Sequence, residues 1–218
     1  MKFPNAAKGI GKIFAAEIIQ LITVLTGGTA AVLGFVFADS IKADTGSAND
    51  VIAITLLCLA VAAVVLAVIS FIMMIIGVIQ AARDESFFRG VIWLTLINIA
   101  VSVTAGFFSN NWFWNNLANT VSGFFGFLTT IFVILGVSRM ALVLRDQDVI
   151  DTSGSLLKTI IGIGLVSLTA RFFAIFLPLH VGKFILIGLA CLGVVLEVVS
   201  YVLYLVMLSK AKKMLRNN

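Results

Sequence analysis

The chain has 218 residues, of which 61% are hydrophobic and 11% charged, with a formal net charge of +5. Soluble globular domains carry about 45–50% apolar and about 25% charged residues, and small domains leave much of their surface facing water. The solvent for most of this chain is therefore lipid, which excludes a soluble enzyme, a nucleic-acid-binding domain and a secreted disulfide scaffold.

A spanning helix needs about 20 mostly apolar residues, because the hydrocarbon core is about 30 Å thick and the helix rises about 1.5 Å per residue. Six stretches qualify: 13–38, 51–79, 89–108, 119–143, 156–177 and 183–208. The first follows Lys2, Lys8 and Lys12, but it far exceeds the 7–15 residue core of a signal peptide and is kept as a helix. The polar segment Asp39 to Asp50 separates it from the second, and Arg83-Asp84-Glu85-Ser86 separates the second from the third. The Asn-rich break around Trp112, Phe113 and Trp114 follows, then Arg145 to Ser155 with Asp146, Asp148 and Asp151, then Pro178-Leu179-His180. The aspartates read as a solvated loop, since a calcium loop would need a glycine at its sixth position and a closing glutamate. Ser153 or Ser155 is the expected cap of the fifth helix. Runs such as residues 61–68 do not alternate, so a β-barrel is excluded. The predicted fold is all-α: one membrane domain over residues 1–218, a polytopic integral membrane protein built as a compact bundle of six transmembrane helices in three hairpins.

Lysine and arginine set the orientation. With both termini cytoplasmic, twelve of these residues fall inside, only Lys42 and Lys183 fall outside, and Arg171 lies within a span. That bias predicts a multi-pass protein of the plasma (inner) membrane and accounts for the positive charge without nucleic acid. Cys58 and Cys191 lie within spans without metal or redox spacing, and read as small packing residues.

Small and polar residues mark where helices approach one another in lipid. At alternating steps of three and four they give Glu17, Gln20, Val24, Gly27, Ala31, Gly34 and Ala38 on the first helix, and Ala60, Ala63, Ala67, Ser70, Met74, Gly77 and Ala81 on the second. The third helix gives Thr95, Asn98, Ser102, Ala105 and Ser109; the fourth, Ser122, Gly126, Thr129, Val133, Gly136 and Met140. The fifth gives Gly164, Ser167, Arg171, Ala174 and Pro178; the sixth, Ala190, Gly193, Glu197, Ser200, Tyr204 and Met207. All three intramembrane charges fall on these seams.

Those charges are the first candidates for substrate or ion contact. An ionised carboxylate at Glu197, near the middle of the sixth span, costs at least about 2.5 kcal/mol. It is a proton- or cation-coupled site, or a neutral acid hydrogen-bonding a neighbouring helix. Arg171 lies about 10 Å below the outer surface, where it either snorkels or meets an anionic ligand. Glu17 and Gln20, close to the cytoplasmic boundary, read as an interfacial pair at a helix N-terminus or as part of a site. Asn98, with Thr95 and Ser102, lines a polar cavity or bonds an adjacent helix. Trp112, Phe113 and Trp114 belong to an outer aromatic belt or to a lid over a substrate.

The sole histidine, His180, lies in an outer turn away from any nucleophile, and neither a Walker A sequence nor a Rossmann glycine fingerprint occurs. No enzyme activity, metal site or cofactor is expected. In length, six-span topology and inside termini the chain resembles the substrate-binding subunits of energy-coupling-factor vitamin transporters. Those dock a partner through small residues four apart on the first helix, a spacing present here at Ala30, Gly34 and Ala38, near the outer end of the span. The likeness is one of size and topology, and no binding residues are carried over.

Two classes of function follow. One is a small-molecule transporter, or a transporter's substrate-binding subunit, with a polar cavity reached from outside. The other is a non-catalytic scaffold, assembly or regulatory protein acting through helix–helix contacts. The bilayer is the first partner in either case, with a partner membrane subunit or a homo-oligomer as the second.

Overall fold

The computed structural model describes residues 2–37, 47–107, 111–176 and 183–217; within them the side chains of residues 47–50, 112, 168, 170–176, 183–195 and 197 are not described. Among the described residues the chain is all-α, with six helices: α1 (Pro4–Val36), α2 (Ser47–Ala81), α3 (Phe87–Phe107), α4 (Trp112–Leu144), α5 (Gln147–Phe176) and α6 (Lys183–Asn217). Five of them, α1 to α5, contain stretches long and apolar enough to cross a membrane.

Several helices run past their predicted spans. α1 begins at Pro4 rather than at 13, because Pro suits the first helical position and the next two turns bury Ala6 and Ile10. α6 continues to Asn217 because Tyr204, Met207, Leu208, Ala211, Met214 and Leu215 form one buried stripe that carries the helix beyond its apolar span. Asn111 caps α4 by accepting a hydrogen bond from the Trp114 amide at 3.3 Å. Residues 112–114 are therefore the first turn of a helix and not part of a loop. The expected eleven-residue loop from Arg145 to Ser155 is likewise only a two-residue turn. Arg145 adopts the left-handed conformation (φ 58°, ψ 34°), its amide donates to Leu142, and the Asp146 amide donates to Ala141, closing α4 with a Schellman turn. Asp146 then caps α5 through the Val149 amide at 3.2 Å. Ser153 is no cap: its hydroxyl is buried and donates to the Val149 carbonyl within the helix.

The chain divides into two units, residues 11–77 and residues 1–10 with 78–218. The first is an antiparallel pair formed by most of α1 and α2. The Ser70 hydroxyl donates to the Ala16 carbonyl at 2.8 Å, and Gly27 lies against Ala63. An apolar crevice of about 130 Å³ between Leu33, Phe37, Val51, Ile52, Thr55 and Leu56 lies toward its other end. In the second unit α3 packs on α4, α4 on α5 and α5 on α6.

Within that second unit the core is concentrated at one end. Phe88, Val91, Val133, Ile134, Val137, Met140, Met207 and Leu208 are fully buried there, with Ala6, Ile10 and Ala81. Lys8, Arg83, Arg89, Arg139, Arg145, Lys210, Lys212, Lys213 and Arg216 belong to the helix ends gathered around this core, the basic end of the unit.

The predicted seams on α2, α4 and α6 coincide with buried faces: Ser70, Gly77 and Ala81; Thr129, Val133, Gly136 and Met140; Tyr204 and Met207. On α1 the predicted phase holds at Gly27, which meets Ala63, but not nearer the N-terminus. The buried face is Ala6, Ile10, Ile13 and Ala16, while Gln20 is exposed and Val24 is 60% exposed. Smallness did not locate this face, because its contacts are made by isoleucines as well as alanines.

Candidate functional site

Among the described residues of the second unit, bonded polar side chains gather at the basic end and within the apolar stretch of α3 and α4. The first begins with a missing cap. Phe3 precedes Pro4 and has no side-chain acceptor for the free amides of the first turn of α1. Asp84, from the turn between α2 and α3, supplies one. Its Oδ2 accepts from the Asn5 and Ala6 amides, both at 2.8 Å, and its Oδ1 from the Asn5 side-chain amide at 2.9 Å. A carboxylate there is also favoured by the helix dipole.

The next residue, Glu85, is 8% exposed. Its Oε1 accepts from the Ser86 hydroxyl at 3.2 Å and lies 3.5 Å from the Arg139 guanidinium of α4, which also sits 5.8 Å from the Phe87 ring centre. The Arg89 side chain donates to the Ala82 carbonyl. Lys210 of α6 bridges to α5, donating to Asp148 at 2.7 Å and to Thr152 at 3.0 Å. These contacts bring residues 5–6, the 82–86 turn, the C-terminal part of α4, the start of α5 and the C-terminal part of α6 to one end of the unit. Its interior is packed with apolar side chains, so chemically this end is a plug.

The second group lies about halfway along α3. The Ser122 hydroxyl donates to Asn98 Oδ1 at 2.6 Å, and Ser102 and Ser122 share a hydroxyl contact at 3.1 Å. Of the sequence-predicted candidates, only Asn98 and Ser102 are joined in a described network, and Ser122, a predicted seam residue, completes it. Thr95, by contrast, donates to the Val91 carbonyl of its own helix.

Glu17 is half-buried and engaged in an interaction, and Gln20 is exposed. Both lie in the fourth and fifth turns of α1, so Asp84, rather than Glu17, meets the helix N-terminus. Phe113 and Trp114 stack edge-to-face at 5.5 Å and are 40% and 50% exposed. Arg171 and Glu197 lie on α5 and α6, which pack together, but their side chains, like that of Trp112, fall outside the described residues. Ala38, Ser109, Pro178 and His180 also fall outside them. One turn from Glu197, the hydroxyl oxygen of Ser200 is buried without a hydrogen-bond partner among the described residues.

In the sequence, residues 83–86 mark only a break between spans, and nothing there gives Asp84 or Glu85 a role. The absent cap before Pro4 was the available signal for the first. Nothing in the sequence paired Glu85 with Arg139, because that contact needs the register between α3 and α4. Among the described residues no cluster of metal-ligating side chains occurs. Neither a protein-family model, nor a curated protein, nor a solved structure matches this chain.

Proposed function

We propose that the chain is a multi-pass integral membrane protein, a compact bundle of six transmembrane helices in three hairpins, which works as a small-molecule transporter or as a transporter's substrate-binding subunit. It lies in the plasma (inner) membrane with both termini on the cytoplasmic side, and it performs no catalytic chemistry. The orientation rests on the positive-inside bias, and is supported by the gathering of helix ends around one basic end. The observation that carries the transport reading is the apolar plug at that end, built from Phe88, Val133, Val137, Met140 and Met207, lying below two in-span charges. By helical rise, Glu197 is about 10 Å beyond Tyr204 and Arg171 about 16 Å beyond Ile160. Intramembrane charges are costly, face protein or water rather than lipid, and mark substrate and ion routes. A seal beneath them matches a site reached from the opposite face. Glu197 is the candidate coupling group, and Arg171 the candidate contact for an anionic ligand.

The scaffold reading keeps one observation in its favour. The most apolar stretch of α1 has none of its residues buried within the chain, and that of α2 has 6% buried. Lipid, a partner membrane subunit or a second copy covers those faces.

Thiol accessibility tests the transport reading without knowledge of the substrate. In a full-length Cys58→Ser/Cys191→Ser chain, Glu197→Cys reacts with a membrane-impermeant thiol reagent applied from outside, as does a Thr45→Cys control, while Arg83→Cys does not. A Glu197→Cys chain that is folded yet unreactive refutes a route from the outer face. Reaction of Arg83→Cys from outside reverses the topology.

A further inference from the structure

One member of the polar group on α3 and α4 is incompletely bonded. Asn98 Oδ1 accepts from Ser122, but the amide nitrogen has no hydrogen-bond partner among the described residues. Whichever way the amide is turned, one end is met and the other is not. Asn98 is the twelfth residue of the 21-residue α3, so by position its free donors lie deep within the hydrocarbon layer. Hydrocarbon offers them nothing, and an unmet amide there is expensive. Something polar therefore reaches Asn98.

The residues above it indicate a path. From its capped end, α4 presents Asn115, Asn119, Ser122 and Gly126 at steps of four, three and four, which place them on one helical face. Asn119 donates to Asn115 at 3.2 Å, Ser122 bonds Asn98, and Ser102 of α3 bonds Ser122. Asn119 and Ser102 are exposed, and a side chain added at Gly126 would meet nothing within 4 Å. Amides and hydroxyls thus continue from the end of α4 at Trp112 to mid-span, with free space beside them and no charged residue among them. The opposite face of α3 is apolar and exposed, as at Leu96 (51%) and Val103 (57%).

We propose that Asn98, Ser102, Asn119 and Ser122 line a water-filled groove on the α3–α4 hairpin that admits uncharged solutes bearing amide or hydroxyl groups from the ends of these helices opposite the basic end. This deepens, and rests on, the transport reading. It assigns hydrogen-bonding recognition of a neutral group to α3 and α4, whereas that reading placed the charged contacts on α5 and α6.

The test uses the full-length Cys58→Ser/Cys191→Ser chain with Asn98→Cys, Ser102→Cys or Asn119→Cys, and with Leu96→Cys and Val103→Cys as lipid-facing comparisons. Only thiolates react, and hydrocarbon suppresses ionisation, so an impermeant reagent reads water at each position. Asn98→Cys and Ser102→Cys react within about tenfold of Asn119→Cys, whereas Leu96→Cys and Val103→Cys are slower by about a hundredfold or more. Acetamide, as the solute probe, slows Ser102→Cys, which keeps Asn98, by about twofold at the concentration that fills half the sites, and leaves Asn119→Cys unchanged. Unreactive thiols at both 98 and 102 in folded protein overturn the groove, as does oxidation of Asn98→Cys to a disulfide dimer, which gives the amide a second copy as its partner. Reaction without any effect of acetamide overturns the solute class. Because Glu197→Cys is read separately, a reactive 98 with an unreactive 197 removes the route at α6 and keeps the groove, and the opposite pattern removes the groove alone.

Discussion

Gly136 offers the sharpest test of the core at the basic end. It lies on the buried face of α4, and a Cβ added there would stand 2.6 Å from Phe88 Cε2 and 3.1 Å from Phe88 Cδ2 and Cζ. Carbon atoms rest at about 3.5–4.0 Å, so the ring would have to retreat by about 1 Å. Phe88 is fully buried, and its neighbours Val133 and Val137 are as well, which leaves little room for that movement. Overpacking of this kind costs about 1–3 kcal/mol. Replacing a helical glycine with alanine returns about 1 kcal/mol, so Gly136→Ala loses about 0–2 kcal/mol overall. The more informative quantity is the coupling to Phe88. Phe88→Leu removes the ring atoms that clash, and the double variant should be more stable than the sum of the two single losses by about 1 kcal/mol or more. Unfolding midpoints in mixed detergent micelles, followed by circular dichroism, measure all four corners of this cycle. Gly162→Ala is the control, because nothing lies within 4 Å of its added Cβ; it should be neutral or stabilising. If Gly136→Ala gains the same stability as Gly162→Ala and adds simply to Phe88→Leu, the close packing of α3 on α4 is wrong.

Asp84→Ala removes the acceptor for two first-turn amides of α1 and should destabilise by about 0.5–2 kcal/mol, with Asp84→Asn losing less because one oxygen remains. Faster hydrogen exchange confined to the first turns of α1 is the expected signature, and unchanged exchange there would contradict the cap. The Glu85–Arg139 pair should show a coupling of about 0.2–1 kcal/mol in a Glu85→Gln/Arg139→Ala cycle, held down because Arg139 is 57% exposed and water screens it. That coupling should shrink as salt rises, and a value independent of salt would mean that packing against Phe87, not charge, holds the arginine.

Much of the architecture was legible because long apolar runs leave the backbone so few choices. An apolar run of about 20 residues is forced into a helix that satisfies its own amides, so the helices could be placed from composition alone. Their ends were not. Residues 4–12, 147–155 and 209–217 contain charges and polar side chains that read as flanks and loops, yet they are helical because Ile10, Val149, Met214 and Leu215 have a core to enter. The seam on α4 was found because Gly136 and Thr129 mark a close approach. The seam on α1 was found at Gly27, which meets Ala63, but missed nearer the N-terminus, where isoleucines share its contacts.

The site residues divide in the same way. Sequence singled out Asn98 as a polar residue in an apolar helix, but its partner Ser122 follows from the register of α3 on α4. Asp84 looked like a loop residue until the turn that carries it met an uncapped helix 79 positions away. Helical class, the placing of the apolar helices and the bias of basic residues were set by the sequence alone, since each depends on summed transfer energies and charge counts that need no partner. Which side chains meet, which end is closed and which amide is left without a partner were decided only by tertiary structure, because each depends on the register between helices that hydrophobicity does not encode.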